Sequence, residues 1–288
     1  MKLNKIARTG LITAFFLSPS LLHAAILSNE SFSGYSLGEL PGQNPTVTGY
    51  SGAWADAAFG DAEPSVTTGS LSYSNPLYLG SSGDKISKGA DGDGINASNS
   101  GRTERLLDSS LVVTDLTAGT VYLSFLFQSG FENAAGQADV YQTLGLWNGS
   151  AANDVPRQFD AGIASGDFGT TNYAYRVNNS VVGNLGLASN ATVQLFVVKF
   201  DLSSAAASDN VTVWLNPTLG AGESGGGFTT TGRDMSFDRL VFSDYASNST
   251  NWDEVRWGTT FNAVTVPEPA SALLGSLGLL ALLRRRRH

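Results

Sequence analysis

Apolar residues along this chain come in short bursts rich in Val, Leu, Phe, Tyr and Trp, separated by clusters of Gly, Ser, Asn, Thr and Asp. No burst keeps a 3.6-residue apolar rhythm beyond two turns, so the pattern predicts strands rather than amphipathic helices. The clearest predicted strands are TVYLSFLFQ (120–128), TVQLFVVKFDL (192–202), NVTVWLNP (210–217), SFDRLVFSD (236–244) and WDEVRWG (252–258). Weaker alternation predicts further strands at 65–73, 105–114, 140–147 and 172–177. Strands and turn clusters alternating every 8–15 residues or so suit an all-β sandwich or barrel. Residues 81–101 and 220–232 read as loops, the second (GAGESGGGFTTTG) with too many glycines to hold a strand. The chain has no internal repeat of fixed period.

Two of these segments say more. In 120–128, Val121, Leu123, Phe125 and Phe127 share one face, while Tyr122, Ser124 and Leu126 share the other. A strand apolar on both faces belongs in the middle of a sheet with another layer on each side. In 210–217, Trp214 points away from Val211, Val213 and Leu215. Such a Trp either lines a groove for sugar or covers a second layer of the sheet. The packing reading is favoured, because buried aromatics mostly serve packing.

The two ends depart from this pattern. Lys2, Lys5 and Arg8 precede an apolar stretch at 11–22, and small residues follow at Ala24 and Ala25. That is the layout of a secretory signal peptide, with cleavage expected near Ala24 or Ala25. At the other end, VPEPASALLGSLGLLALLRRRRH places an apolar run between a Pro-Glu-Pro element and four arginines. Fourteen residues of helix span about 21 Å, short of the ~30 Å hydrocarbon core, so the arginines must snorkel or the bilayer must thin. Four arginines keep their end on the cytoplasmic side. The expected organisation is therefore a leader at 1–25, a β-sandwich at 26–265 and a tail at 266–288.

Charge and inventory narrow the function. Lys2, Lys5, Arg8 and Arg284–287 account for seven of the 17 basic residues, and Glu268 for one of the 25 acids. The segment between the ends then holds 10 basic and 24 acidic residues, a formal charge near −14. Such a domain repels phosphate backbones, so nucleic acid is not an expected partner. There is no cysteine, and the two histidines, His23 and His288, lie in the leader and at the last position. Ser-His-Asp triads, Cys-His pairs and His-ligated zinc are excluded from the body by inventory.

The tail resembles the PEP-CTERM sorting signal of Gram-negative bacteria through Pro267, Glu268 and Pro269, the apolar run at 270–283, and Arg284, Arg285, Arg286 and Arg287. The resemblance implies recognition of Pro267, Glu268 and Pro269 by an exosortase, with the four arginines as the cytoplasmic stop. It also implies export by signal peptidase and the general secretion machinery, a transient inner-membrane anchor, and association with exported polysaccharide, biofilm and envelope material. The body, through ESFSGYSLGELPGQ, TVYLSFLFQ, VVKFDLSSAAASDNVTVWLNPTLG and FDRLVFSDYASNSTNWDEVRWGTTF, is similar to LamG-like, concanavalin A-like jelly-roll domains. That likeness implies two antiparallel sheets, one concave, in a superfamily of lectins, glucanases and adhesive modules; fold alone leaves the function open.

Candidate sites are few. A retaining glucanase wants two carboxylates about 5–5.5 Å apart. No Glu-x-Asp-x-x-Glu pattern is present, and Asp253 and Glu254, being adjacent, are expected on opposite faces, with Glu254 and Arg256 paired on the surface. In ADGDGINASN, Asp91, Asp93 and Asn96 offer oxygens to a calcium ion. Ile95 and Arg102 occupy places where an EF-hand needs oxygen ligands, so a solvated Asp-Gly turn is the better reading. No other cofactor is expected. The sequence thus points to a non-catalytic body that contacts exopolysaccharide or matrix, with a glycan hydrolase or lyase and a purely structural surface protein as alternatives. Paired acids flanked by Trp on a sheet face would favour the enzyme. Exposed Trp or Tyr would favour a lectin-like binder, and a face filled by loops the structural protein.

Overall fold

The strand predicted to be apolar on both faces is β7 (Gly119–Ser129), and both of its faces are covered. The computed structural model describes residues 25–57, 63–78, 83–88, 101–130, 141–152, 157–164, 168–223, 225–245 and 249–266. Among these, sixteen strands form two antiparallel sheets packed as a jelly-roll-like sandwich. One sheet runs β14 (Phe228–Arg233), β13 (Asp209–Leu215), β12 (Gln194–Leu202), β7, β16 (Thr250–Gly258), β5 (Asp84–Lys88), β4 (Ser65–Thr68) and β2 (Gly38–Glu39), with β1 (Ile26–Glu30) also paired to β16. The other runs β11 (Val181–Ala188), β10 (Asn172–Val177), β9 (Arg157–Ala164), β8 (Tyr141–Trp147), β15 (Arg239–Tyr245), β6 (Gly101–Leu107) and β3 (Tyr50–Asp56).

Between the sheets, Leu123, Phe125 and Phe127 of β7 and Phe196, Val198 and Phe200 of β12 meet Leu144, Phe159 and Phe242 of the opposite sheet. Phe125 and Phe196 stack with ring centroids 4.9 Å apart. On the outer side, Tyr122, Leu126, Leu195, Val197 and Trp214 form a second apolar surface. Leu71, Tyr78, Leu219 and a one-turn helix, α1 (Phe261–Thr265), lie over it. Thr260 caps α1 by accepting from the Ala263 amide at 3.2 Å, and Ser124 of β7 donates to the Val264 carbonyl at 2.6 Å. Trp214 meets Phe261 edge-on at 5.4 Å, so it serves packing.

Several expectations need correction. The glycine-rich stretch at 220–232 does hold a strand, because Phe228–Arg233 sits at its end and pairs with β13 as the outermost strand of its sheet. The loop expected at 81–101 contains β5, whose Ile86 is buried against the core. The strand expected at 65–73 stops at Thr68, and the residues after it cross the outer face as part of the cover. The strand expected at 105–114 begins and ends earlier, at Gly101–Leu107.

Among the described residues, two ion pairs join the sheets inside the sandwich. Arg105 of β6 reaches Glu30 of β1 at 3.2 Å, and both side chains are almost fully buried. The Tyr35 hydroxyl donates to Glu30 at 2.5 Å and accepts from Arg105 at 2.9 Å and from the Trp54 indole at 3.0 Å. Arg105 also donates to the carbonyls of Gly52 and Pro45. The second pair links Lys88 of β5 to Asp244 of β15 at 3.5 Å, again buried. Removing one partner of a buried pair leaves an uncompensated charge. Arg105→Met should therefore cost about 3–5 kcal/mol, read as a lower urea midpoint. A midpoint within error of wild type would show that the pair does not hold the sheets together.

Burial holds four carboxyls above their usual range: Glu63 and Asp253 to about 7, Asp244 to about 6, and Glu30 upward. The folded state therefore keeps protons that the unfolded chain has already lost. These groups give stability that is present near pH 4 and lost as pH rises toward about 7. The urea midpoint should fall across that interval, with a shallower fall in Asp253→Asn. A midpoint that rises with pH in the wild type would contradict the burial of these groups.

Candidate functional site

The cover over the nine-stranded sheet stops short at one end, and the outer face there turns from apolar to polar. On β7 the outward residue after Leu126 is Gln128, which pairs in register with Asn251 of β16. Asn251 pairs in turn with Ser87 of β5, and Ser87 with Ser65 of β4. These four positions form a polar row across neighbouring strands. Above its Gln128–Asn251 end lies an open cleft of about 580 Å³. One wall is Ser70, Leu71 and Ser72; the opposite wall is Ala191 and Val193. Lys85, half-buried on the outward side of β5, is the cation among its lining residues.

The wall is pinned from beneath by Asp253, which is fully buried. One carboxylate oxygen accepts from the Ser70 hydroxyl and from the Leu71 amide at 2.8 Å, and the other accepts from the Glu254 amide at 2.7 Å. Burial pushes its pKa up to about 7 against these hydrogen bonds. Glu254 adopts a left-handed conformation (φ 52°), and the β16–β7 register shifts there, so Glu254 and Val255 together stand opposite Phe125. This bulge corrects the expected alternation of Asp253 and Glu254. It also corrects the expected surface pair: Glu254 and Arg256 do pair, but both are buried, and the Arg256 guanidinium lies 4.7 Å from the centroid of the Tyr78 ring. The two acids hold the cover down. With every Asp253 oxygen engaged and no exposed surface, this carboxyl does not face a substrate.

The outer face of the seven-stranded sheet carries a different arrangement. Arg102 and Arg157 both lie 5.1 Å from the Trp147 ring centroid, Arg157 lies 5.0 Å from Tyr141, and Arg176 lies 5.9 Å from Tyr141 and 5.5 Å from Phe168. Asp160 ties this stack together, accepting from the Trp147 indole at 3.0 Å and from Arg176 at 2.9 Å. The three arginines are at most 6% exposed, so this cationic stack is internal. It explains where much of the small basic complement goes.

The sequence-predicted site residues do not enter this geometry. Asp91, Asp93 and Asn96, the sorting element Pro267, Glu268 and Pro269, and Arg284, Arg285, Arg286 and Arg287 all lie outside the described residues, as does the leader. Among the described residues, no His, Cys, Asp or Glu group of three or more is placed to hold a metal, and no helix is long and apolar enough to cross a membrane. All five tryptophans are buried. The cleft residues Lys85, Gln128 and Asn251 were not singled out from sequence. The available signal was the switch from Leu126 to Gln128 on an otherwise apolar outward face.

Known proteins add two findings. The fold is similar to the binding domain of Paraclostridial Mosquitocidal Protein 1 (TM-score 0.45, 9% identity, 82% of this chain and 49% of that one). It is also similar to the botulinum neurotoxin serotype D binding domain (TM-score 0.44, 8% identity, 83% and 50%). The chain spans about half the length of these structures. No curated protein matches its sequence. Residues 265–287 match the PEP-CTERM protein-sorting motif, so the chain carries a tail that implies an exported, membrane-anchored precursor processed by an exosortase at the cell envelope.

Proposed function

We propose that this protein is a non-catalytic envelope module, displayed through exosortase-dependent sorting, whose β-sandwich body contacts polysaccharide or matrix. The sorting motif at 265–287 carries the reading. The leader at 1–25 delivers the chain across the inner membrane, and Pro267, Glu268 and Pro269 present the site for processing. Arg284–287 hold the tail on the cytoplasmic side until then. The body supports a binding role over a catalytic one through its carboxylates: Asp253, Glu254 and Glu30 are all buried and committed to partners. Stacking of sugar on exposed tryptophan does not fit, since each Trp is buried. Contact is instead through hydrogen bonds, and its strength comes from many weak copies. The covered outer face of the nine-stranded sheet favours a second reading, a structural surface protein without a discrete ligand.

Two experiments separate these readings. In the native host, Glu268→Ala or deletion of Arg284–287 should change the mature mass or the fraction in which the protein is found. An unchanged product refutes the sorting role. A glycan screen of the processed protein, with and without calcium, should show weak binding, with Kd on the order of 0.1–1 mM, and no release of reducing ends. Release of reducing ends by the purified protein would instead make it a glycan-active enzyme. Failure to bind any glycan assigns the structural role.

A further inference from the structure

We propose that the cleft floored by Gln128, Asn251 and Lys85 is a binding site for a carboxylated oligosaccharide of the uronic-acid type. Lys85 holds the sugar carboxylate, and the two amides hold ring hydroxyls. The inference rests on the envelope-module reading and adds to it a place and a ligand chemistry.

The amides form a fixed relay. Gln128 donates through Nε2 to the Ala191 carbonyl at 2.9 Å, and Asn251 donates through Nδ2 to Gln128 Oε1 at 3.1 Å. Both side chains are thereby oriented, yet each keeps a second N–H, the pattern that suits vicinal hydroxyls. The relay ends at Asn251 Oδ1, which is buried and has no donor; Thr67 Oγ1, on the same outward side two strands away, is likewise unpartnered. Fifteen side-chain polar atoms among the described residues are buried without a hydrogen-bond partner, and Asn251 Oδ1 is the one whose residue lines this cleft.

Charge selects the ligand further. Six of the ten body cations are buried: Lys88, Arg102, Arg105, Arg157, Arg176 and Arg256. Lys199 and Arg239 are paired to carboxylates, and Arg233, half-buried like Lys85, lies outside the cleft. Lys85 donates only to the Thr68 carbonyl, at 3.3 Å. It is thus a half-exposed cation without a carboxylate partner, set in a cleft of hydroxyls, amides and three apolar side chains, Leu71, Ala191 and Val193. A domain near −14 repels polyanions at large. A single lysine framed by hydrogen-bonding groups therefore fits one sugar carboxylate better than a phosphate chain. The volume of about 580 Å³ lies within the range of small-ligand sites.

The test is titration calorimetry of the processed protein with a tetrasaccharide of neutral hexoses ending in one glucuronate, its methyl ester and inorganic sulfate. The wild type should bind the acid with Kd below about 1 mM, and more weakly as salt rises from about 20 to about 300 mM. Lys85→Gln should weaken the acid about tenfold and leave the ester unchanged, whereas Gln128→Ala should weaken both. Lys85 and Gln128 are only half-buried, and an unchanged Tm confirms that each variant folds. The proposal is overturned if the acid does not bind, if Lys85→Gln binds it as the wild type does, or if sulfate competes as well as the oligomer. A protein that binds other glycans in the screen but fails here loses this site and keeps its envelope role.

Discussion

A strand that is apolar on both faces needs two partners, and β7 is such a strand. The seven-stranded sheet buries Leu123, Phe125 and Phe127 on one side. The segment after β4, the residues around Leu219 and the single turn of α1 bury Tyr122 and Leu126 on the other. Much else follows from this demand. Trp214 is drawn into the cover, Asp253 becomes a buried anchor for Ser70 and Leu71, and the Glu254 bulge lets Arg256 reach the Tyr78 ring. The cleft opens where the cover ends and the outward side chains become amides and hydroxyls.

The polar interior gives the sandwich its register. Burying whole ion pairs adds little net stability, yet leaving one partner alone is costly. Glu30–Arg105 and Lys88–Asp244 each join one sheet to the other, so a shift of either sheet would separate a charge from its counterion. The arginine–aromatic stack of Arg102, Trp147, Arg157, Tyr141 and Arg176 does the same within the seven-stranded sheet. An acidic exported domain with ten basic residues thus uses most of them internally. Of the half-exposed cations Lys85 and Arg233, Lys85 is the one that lines the cleft.

The sequence was informative where burial dictates residue type. The segments that became β7, β12, β13, β15 and β16 are legible because both faces, or one whole face, must be apolar. The expected covering role of Trp214 followed from the same rule. Legibility failed where a strand lies at an edge or carries polar residues. Phe228–Arg233 is hidden behind glycines, Asp84–Lys88 has Lys at two of its five positions, and Arg157–Ala164 opens with Arg-Gln and is interrupted by Asp160. The Glu254 bulge breaks the period of two that face assignments assume. Gln128, Asn251 and Lys85 look like ordinary solvent-facing positions in one dimension. Their convergence depends on strands more than a hundred residues apart in the chain.

The central claim is that the cover belongs to the core rather than lying loosely upon it. Peptide-resolved hydrogen exchange tests it directly, because the Leu71 amide is tied to buried Asp253 while β7 forms the centre of the sheet. Amides at 70–78 should exchange in the same cooperative opening as those of β7, with matching dependence on urea. Exchange of 70–78 through a separate, low-energy opening while β7 stays protected would contradict the account.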